Sequence, residues 1–185
     1  EEKIAQLKDR QRTLTGVLHH CPKPTIAALP GPAAGAGLAI ALACDIRIAS
    51  ESAFISTGYA RVGLSGDYGI AWLLTNLVGT AKARELMYTA ERVDSARCEK
   101  MGLVNRVVPD GDLRTEAWAL AAKLAKGPSM ALREMKANLN DALELDFLTA
   151  LDGEAERLVP LGRTDDHKEA VAAFKEKREP KFTGR

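Results

Sequence analysis

Apolar and polar positions alternate along this chain with changing periods, and the changes mark out its elements. Glu1–His20 sets charged residues against Ile4, Leu7, Leu14, Val17 and Leu18 at roughly helical spacing, which predicts an amphipathic helix. The Cys21-Pro22-Lys23-Pro24 stretch breaks it. Thr25–Leu29 is short, apolar and opens on a β-branched pair, so it predicts a buried strand. Pro30, Gly31 and Pro32 stop that strand, and Ala33–Gly37 predicts a tight turn of residues with almost no side chain. Gly37–Cys44 holds Leu and Ala without a breaker and predicts a buried helix. Asp45–Ala49 and Ala53–Ser56 predict two more strands. Gly58–Gly69, GYARVGLSGDYG, carries four glycines and predicts a loop. Tyr68–Val78 then turns helical, with Trp72, Leu73, Leu74 and Leu77 expected on its buried side, and Ala81–Ala90 is a second helix. Arg92-Val93-Asp94 reads as a turn and cap for a short helix, Ser95–Met101. Gly102 ends that helix, and Leu103–Val108 is expected to be a strand stopped by Pro109. Beyond Asp110 the pattern is helical: Leu113–Lys126, Ser129–Leu139, Glu144–Val159 and Asp165–Arg178.

This order predicts an α/β front, residues 1–109, and an all-helical back, residues 110–185. At 185 residues and 46% apolar, the chain can bury one sizeable core. Apolar stripes in the rear helices (Leu145, Leu148, Leu151 and Leu158; Val171 and Phe174) suit packing on another subunit as well as on their own core. The uncharged run Ile26–Cys44 approaches membrane-spanning length, but Pro30, Pro32, Gly31, Gly35 and Gly37 would leave backbone groups unpaired in lipid, so it reads as a buried segment. Lys and Arg number 26 against 25 Asp and Glu, a balance that gives no electrostatic reason to expect nucleic acid or an anionic membrane. Cys21, Cys44 and Cys98 form neither an even framework nor a metal spacing, which points to the cytoplasm.

Two places hold candidate chemistry. A strand feeding a small-residue turn that opens a helix exposes backbone N–H groups where nothing bulky blocks a ligand, and such a site holds an anion or an oxygen that becomes anionic. Small residues also simply allow a strand and a helix to pack closely. The second place is Asp67, at the end of the glycine-rich loop. It is either a helix N-cap or a carboxylate aimed at a ligand from a loop held between packed elements. His19 and His20, in a last helical turn, suit the helix dipole and read first as structural.

The run KPTIAALPGPAAGAGLAIALACDIRIAS, the run SAFISTGYARVGLSGDYGIAWLLTNLVGTAKARELMYTAERVDSARCEKMGLVNRVVP and the tail HKEAVAAFKEKREPKF together resemble the crotonase family, the enoyl-CoA hydratase and isomerase superfamily. The match is nearly continuous from Lys23 to Pro109. The resemblance implies an α/β fold, a crotonase-like spiral of ββα units followed by a C-terminal helical trimerisation region, assembled as a homotrimer or dimer of trimers. It implies an acyl-CoA thioester as substrate, coenzyme A as part of that substrate, and no permanently bound cofactor or metal. Family members carry an N-terminal section of strands that supplies another oxyanion N–H and much of the CoA pocket. The chain begins after that section, so as written it is expected to hold half an oxyanion hole and to be inactive alone.

Residue by residue, the resemblance puts the oxyanion-hole N–H on Ala36, between Gly35 and Gly37, and requires a negative φ there. The two hydratase glutamates fall on Ala39 and Tyr59, neither of which can act as a carboxylate base near neutral pH. Asp67 falls on the aspartate of the dienoyl-CoA isomerases, of the epoxyphenylacetyl-CoA isomerase branch and of the 4-chlorobenzoyl-CoA dehalogenases; the single-acid branch fits best. Tyr59, Leu64 and Trp72 are its expected apolar neighbours. Phe174 and Lys177 fall on residues of the last helix that reach a neighbouring subunit's CoA. The expectation is double-bond isomerisation through a thioester enolate, with Asp67 as acid/base. Hydration with non-standard acids, and a non-catalytic binding or assembly subunit, are the alternatives.

Overall fold

The computed structural model describes residues 1–185, which divide into two compact units. The first comprises Glu1–Cys21 and Thr25–Ala119; the second comprises Pro22–Pro24 and Leu120–Arg185.

In the first unit, α1 (Glu2–Gln11) runs through a π-helical turn, Arg12–Gly16, into α2 (Val17–His19). No residue of α1 is buried, and its stripe of Ile4 and Leu7 lies open. β1 (Ile26–Leu29) follows, then the two-residue β2 (Ala33–Ala34), α3 (Ala36–Leu42), β3 (Ile46–Ser50) and β4 (Phe54–Ser56). The glycine-rich loop contains one 3-10 turn, Tyr59–Val62, and leads to α4 (Ile70–Thr89). Gly79 breaks α4 with φ 75° and ψ 166°, so it consists of two helical segments, as the pattern on either side of it predicts. β5 (Val93–Asp94), α5 (Ser95–Lys100), β6 (Arg106–Val108) and α6 (Leu113–Ala125) complete the order, with α6 crossing from one unit to the next.

The strands make two three-stranded sheets. β1, β3 and β6 lie parallel in the order β1-β3-β6, with Ile26 opposite Ile46 and Ile48 opposite Arg106. β2 pairs parallel with β4, Ala33 opposite Ile55, and β4 pairs antiparallel with β5. The parallel pairs need crossovers, and α3 supplies the one between β1 and β3. Leu38, Leu42, Ile55, Ile70, Leu74, Leu86 and Val93 form the core between these elements. Arg47 is buried in β3, where its guanidinium donates to the carbonyls of Cys44 and Leu103 (2.8 Å to the latter). It thereby satisfies carbonyls beyond the ends of α3 and α5 that no helix can bond.

Three local expectations are corrected. Ala33 and Ala34 belong to a short strand rather than to the turn, because β4, twenty residues on, gives them a partner. Leu103–Asn105 is not strand: the N–H groups of Leu103 and Val104 donate back to Cys98 O at 2.8 and 3.3 Å, so these buried apolar residues close off α5. Trp72 is 41% exposed, on the outer face of α4, while Leu73 and Leu74 are buried.

The second unit holds α7 (Ser129–Asp141), α8 (Phe147–Leu161) and α9 (Asp165–Glu176). Asp146 caps α8 through Leu148 N and Thr149 N, and Thr164 caps α9 through His167 N. Arg157 of α8 joins α7 by hydrogen bonds to Asn138 Oδ1 and Asp141 Oδ2. Lys177 takes a left-handed conformation, φ 55°, and ends α9 two residues before the expected point. The tail then folds back: Arg178 forms two hydrogen bonds to Glu169, and buried Asp166 accepts from Thr183 N and Gly184 N. Leu148, Leu151, Leu158 and Phe174 stay exposed. No helix is long and apolar enough to cross a membrane.

Candidate active site

The small-residue turn is built around Gly35, whose φ of 53° and ψ of −128° lie where a side chain is strained. Its N–H donates to Ser56 O at 3.2 Å, continuing the β2–β4 ladder, and its carbonyl receives Ala39 N at 3.1 Å as the first bond of α3. Ala36 and Gly37 open the helix, and the Ala36 N–H makes no backbone hydrogen bond. Ala36 has a negative φ, so the condition for alanine to serve as a donor at that position is met. Ala39 is fully buried and packs into the core cluster that also contains Tyr59.

The β2–β4 register governs what lies beside the turn. Ser56, which holds Gly35, ends β4, and Tyr59 follows three residues later. Thr57 Oγ1 donates to Leu86 O and Ser56 Oγ donates to Ala90 O, each at 2.9 Å, tying this segment to the end of α4. Gly58 and Gly63, both left-handed, bracket the Tyr59–Val62 turn, and Leu64 N closes it onto Tyr59 O at 3.0 Å. The tyrosine ring is thereby driven inward, 6% exposed. Its hydroxyl donates to Asp67 Oδ1. Burial and this bond to a carboxylate both push the phenol well above its ordinary range, so it keeps its proton at any neutral pH.

Asp67 sits in a tight reversal: Gly66, Tyr68 and Gly69 have φ of 118°, 51° and 79°. A β-carbon on Gly66 would come within 3.1 Å of Ile70 Cγ2, so a side chain there would have to displace Ile70 in addition to bearing the strain of the positive φ. The reversal lets the Asp67 carbonyl, not its carboxylate, receive Ile70 N at 3.1 Å at the start of α4. Gly69 is the N-cap and offers no side chain. The capping role for the Asp67 side chain is therefore overturned; the carboxylate turns to Tyr59 and leaves Oδ2 without a hydrogen bond inside the protein.

One contributor has no signal in its local sequence. Gln11, in an otherwise solvent-facing helix, accepts from Tyr68 N at 2.7 Å and pins the backbone next to Asp67. It lies 57 residues away in sequence, and a glutamine on an amphipathic helix looks like any other polar position. His19 stacks edge-on to Trp72, with ring centroids 5.2 Å apart, while His20 Nδ1 bonds Gly16 O at 2.9 Å. Leu64 is 64% exposed on the loop surface. Phe174, 85% exposed, and Lys177, also exposed, lie in the second unit.

The family described as enoyl-CoA hydratase/isomerase matches residues 1–185. The chain belongs to that family. It is 39% identical over 179 residues to a probable enoyl-CoA hydratase of Rhodobacter capsulatus, covering 97% of this chain and 70% of the relative. It is 38% identical over 164 residues to the 1,2-epoxyphenylacetyl-CoA isomerase of Escherichia coli, covering 89% of this chain and 63% of that protein. The crystal structure of an enoyl-CoA hydratase from Bacillus anthracis superposes with a TM-score of 0.95 at 34% identity, covering all of this chain and 72% of the other. The fold is thus the crotonase fold, and the chain spans about two thirds of the length of these family members.

Proposed function

We propose that the protein transforms an acyl-CoA thioester through an enolate, most simply by moving a double bond, with Asp67 as the acid/base. The observation that carries this reading is the Asp67 carboxylate itself: turned away from helix capping, held at Oδ1 by Tyr59, with Oδ2 unpaired. In this reading the thioester oxygen accepts the Ala36 N–H, with Gly35 and Gly37 leaving room for its approach. Asp67 Oδ2 removes a proton α or γ to the thioester. The electron pair moves onto the thioester oxygen, where the amide stabilises it, and the same carboxyl returns the proton elsewhere on the chain. One base suffices for such a transfer. Ala39 and Tyr59 stand where the family resemblance places the two hydratase glutamates, which counts against the usual hydration mechanism. The hydratases among the relatives favour a second reading, hydration assisted by Asp67 alone.

Phe174 and Lys177 are proposed CoA contacts to a neighbouring subunit in a homotrimer or dimer of trimers, Leu64 a proposed substrate contact, and the cytoplasm the proposed site of action. The test is to assay the full-length protein and its Asp67→Asn variant on 2-enoyl-, 3-enoyl- and dienoyl-CoA. A drop of about 10²- to 10⁴-fold is expected on every substrate that turns over, the range general-base removal produces. Equal activity of the two proteins would refute the assignment. Turnover confined to 2-enoyl-CoA with water added would select hydration.

A further inference from the structure

We infer that Tyr59 is a positioning residue whose phenol proton selects which oxygen of Asp67 reacts. The inference rests on the reading of Asp67 as the base, and it assigns to Tyr59 a task that the family match does not.

The geometry separates Tyr59 from an ordinary core aromatic. Its ring belongs to the buried core cluster that also holds Ala39, where a phenylalanine would fill the same space. The hydroxyl adds a polar atom to that setting, and its partner is Asp67 Oδ1. Both ends of the pair are held independently of each other. Tyr59 is fixed by ring burial and by the Leu64 N bond to its carbonyl. Asp67 is fixed by Ile70 N on its carbonyl and by Gln11 on the next amide. The hydrogen bond therefore joins two preset positions and leaves Oδ2 as the oxygen able to meet a substrate.

The chemistry follows from that asymmetry. A donor on Oδ1 makes a charge-assisted bond that occupies that oxygen and fixes the plane of the carboxylate. During reaction the substrate C–H bond breaks and an Oδ2–H bond forms, while the electron pair goes to the thioester oxygen. Tyr59 keeps its own proton throughout, consistent with a phenol pushed well above its ordinary range. A carboxylate at position 59 would bring a second negative charge to this spot; a phenol brings a proton donor. The site so built is suited to substrates that need one proton shuttled rather than a water held between two acids.

The experiment measures deuterium uptake from D2O into 3-enoyl-CoA for full-length wild type, Tyr59→Phe, Asp67→Asn and a protein carrying 3-fluorotyrosine at position 59. Tyr59→Phe is expected to lower kcat about 10- to 100-fold with KM little changed, the loss that accompanies removal of a hydrogen bond to a charged group. The fluorinated phenol keeps the donor in nearly the same shape, so its kcat is expected within a few-fold of wild type. A kcat loss in Tyr59→Phe at unchanged KM, absent from the fluorinated protein, is not produced by a role in packing. A Tyr59→Phe protein with wild-type kcat, with Asp67→Asn inactive, overturns the role of Tyr59 and leaves the base standing. Exchange surviving in Asp67→Asn overturns both. If Tyr59→Phe fails to fold, the fluorotyrosine protein decides alone, and a kcat there more than about 10-fold below wild type refutes the inference.

Discussion

Replacing Gly35 by alanine tests the turn on which the proposed oxyanion site depends. Gly35 has φ 53° and ψ −128°, and a β-carbon added there meets its nearest atom, Thr57 O, at 3.9 Å. There is room for the methyl group, so the cost is backbone strain alone, about 1–3 kcal/mol for a residue with a side chain in such a region. Gly37, two residues on, provides the control. Its φ is not positive and a β-carbon there touches nothing within 4 Å, so Gly37→Ala is expected to stabilise by about 0.5–1 kcal/mol, as alanine does over glycine in a helix. Urea unfolding should therefore place the two variants on opposite sides of wild type, separated by about 1.5–4 kcal/mol from these two effects together. The kinetic consequence of Gly35→Ala follows from relaxation of the strained peptide, which rotates the Ala36 N–H away from its line. If the Ala36 N–H is the oxyanion donor proposed above, its loss lowers kcat by about 10²–10³-fold. Gly35→Ala as stable as wild type would refute the argument from φ. Full stability loss in both variants would show that crowding, not conformation, keeps glycine at this turn.

Two further outcomes concern stability outside the turn. Asp94 accepts Arg97 N at 2.8 Å as the N-cap of α5, so Asp94→Ala should cost about 1 kcal/mol in urea unfolding, with Asp94→Asn close to wild type. In the tail, the Arg178 guanidinium and then the Lys181 N–H hold the Glu169 carboxyl down to about 2. A carboxyl lowered on folding supports the fold above its ordinary range near pH 4, and its contribution fades as pH falls from there through about 2. Amide exchange at Lys181 should accordingly stay slow at pH 5 and accelerate toward pH 2, whereas in Glu169→Gln it should be faster already at pH 5.

Much of the site is legible because its signals are local. A run of small residues between a strand and a helix specifies a turn with open N–H groups, and four glycines within Gly58–Gly69 specify a chain that bends where side chains forbid it. The resemblance then marks Ala36 and Asp67. What it cannot carry is the partner of the carboxylate. Tyr59 is eight residues from Asp67, and the two meet only because left-handed Gly58, Gly63 and Gly66 curl the loop back on itself. The choice between capping and ligand-facing roles for Asp67 is equally beyond local pattern, since it turns on which atom of Asp67 receives Ile70 N. Gln11 and Ala34 make the same point at longer range: one pins the loop across 57 residues, the other is strand because β4 lies alongside.

The linear order of apolar runs, breakers and glycines by itself determined most of the succession of elements, and the resemblance of whole motifs pointed to the family and to the two stretches proposed to house its chemistry. These depend on properties each residue carries wherever it goes: size, period and permitted φ. Tertiary structure alone decided that Trp72 faces outward, that Leu103 closes a helix, and that the Asp67 carboxylate belongs to Tyr59. Those outcomes depend on which groups distant in the chain arrive within 3 Å of one another, and hydrogen bonding is felt only at that separation.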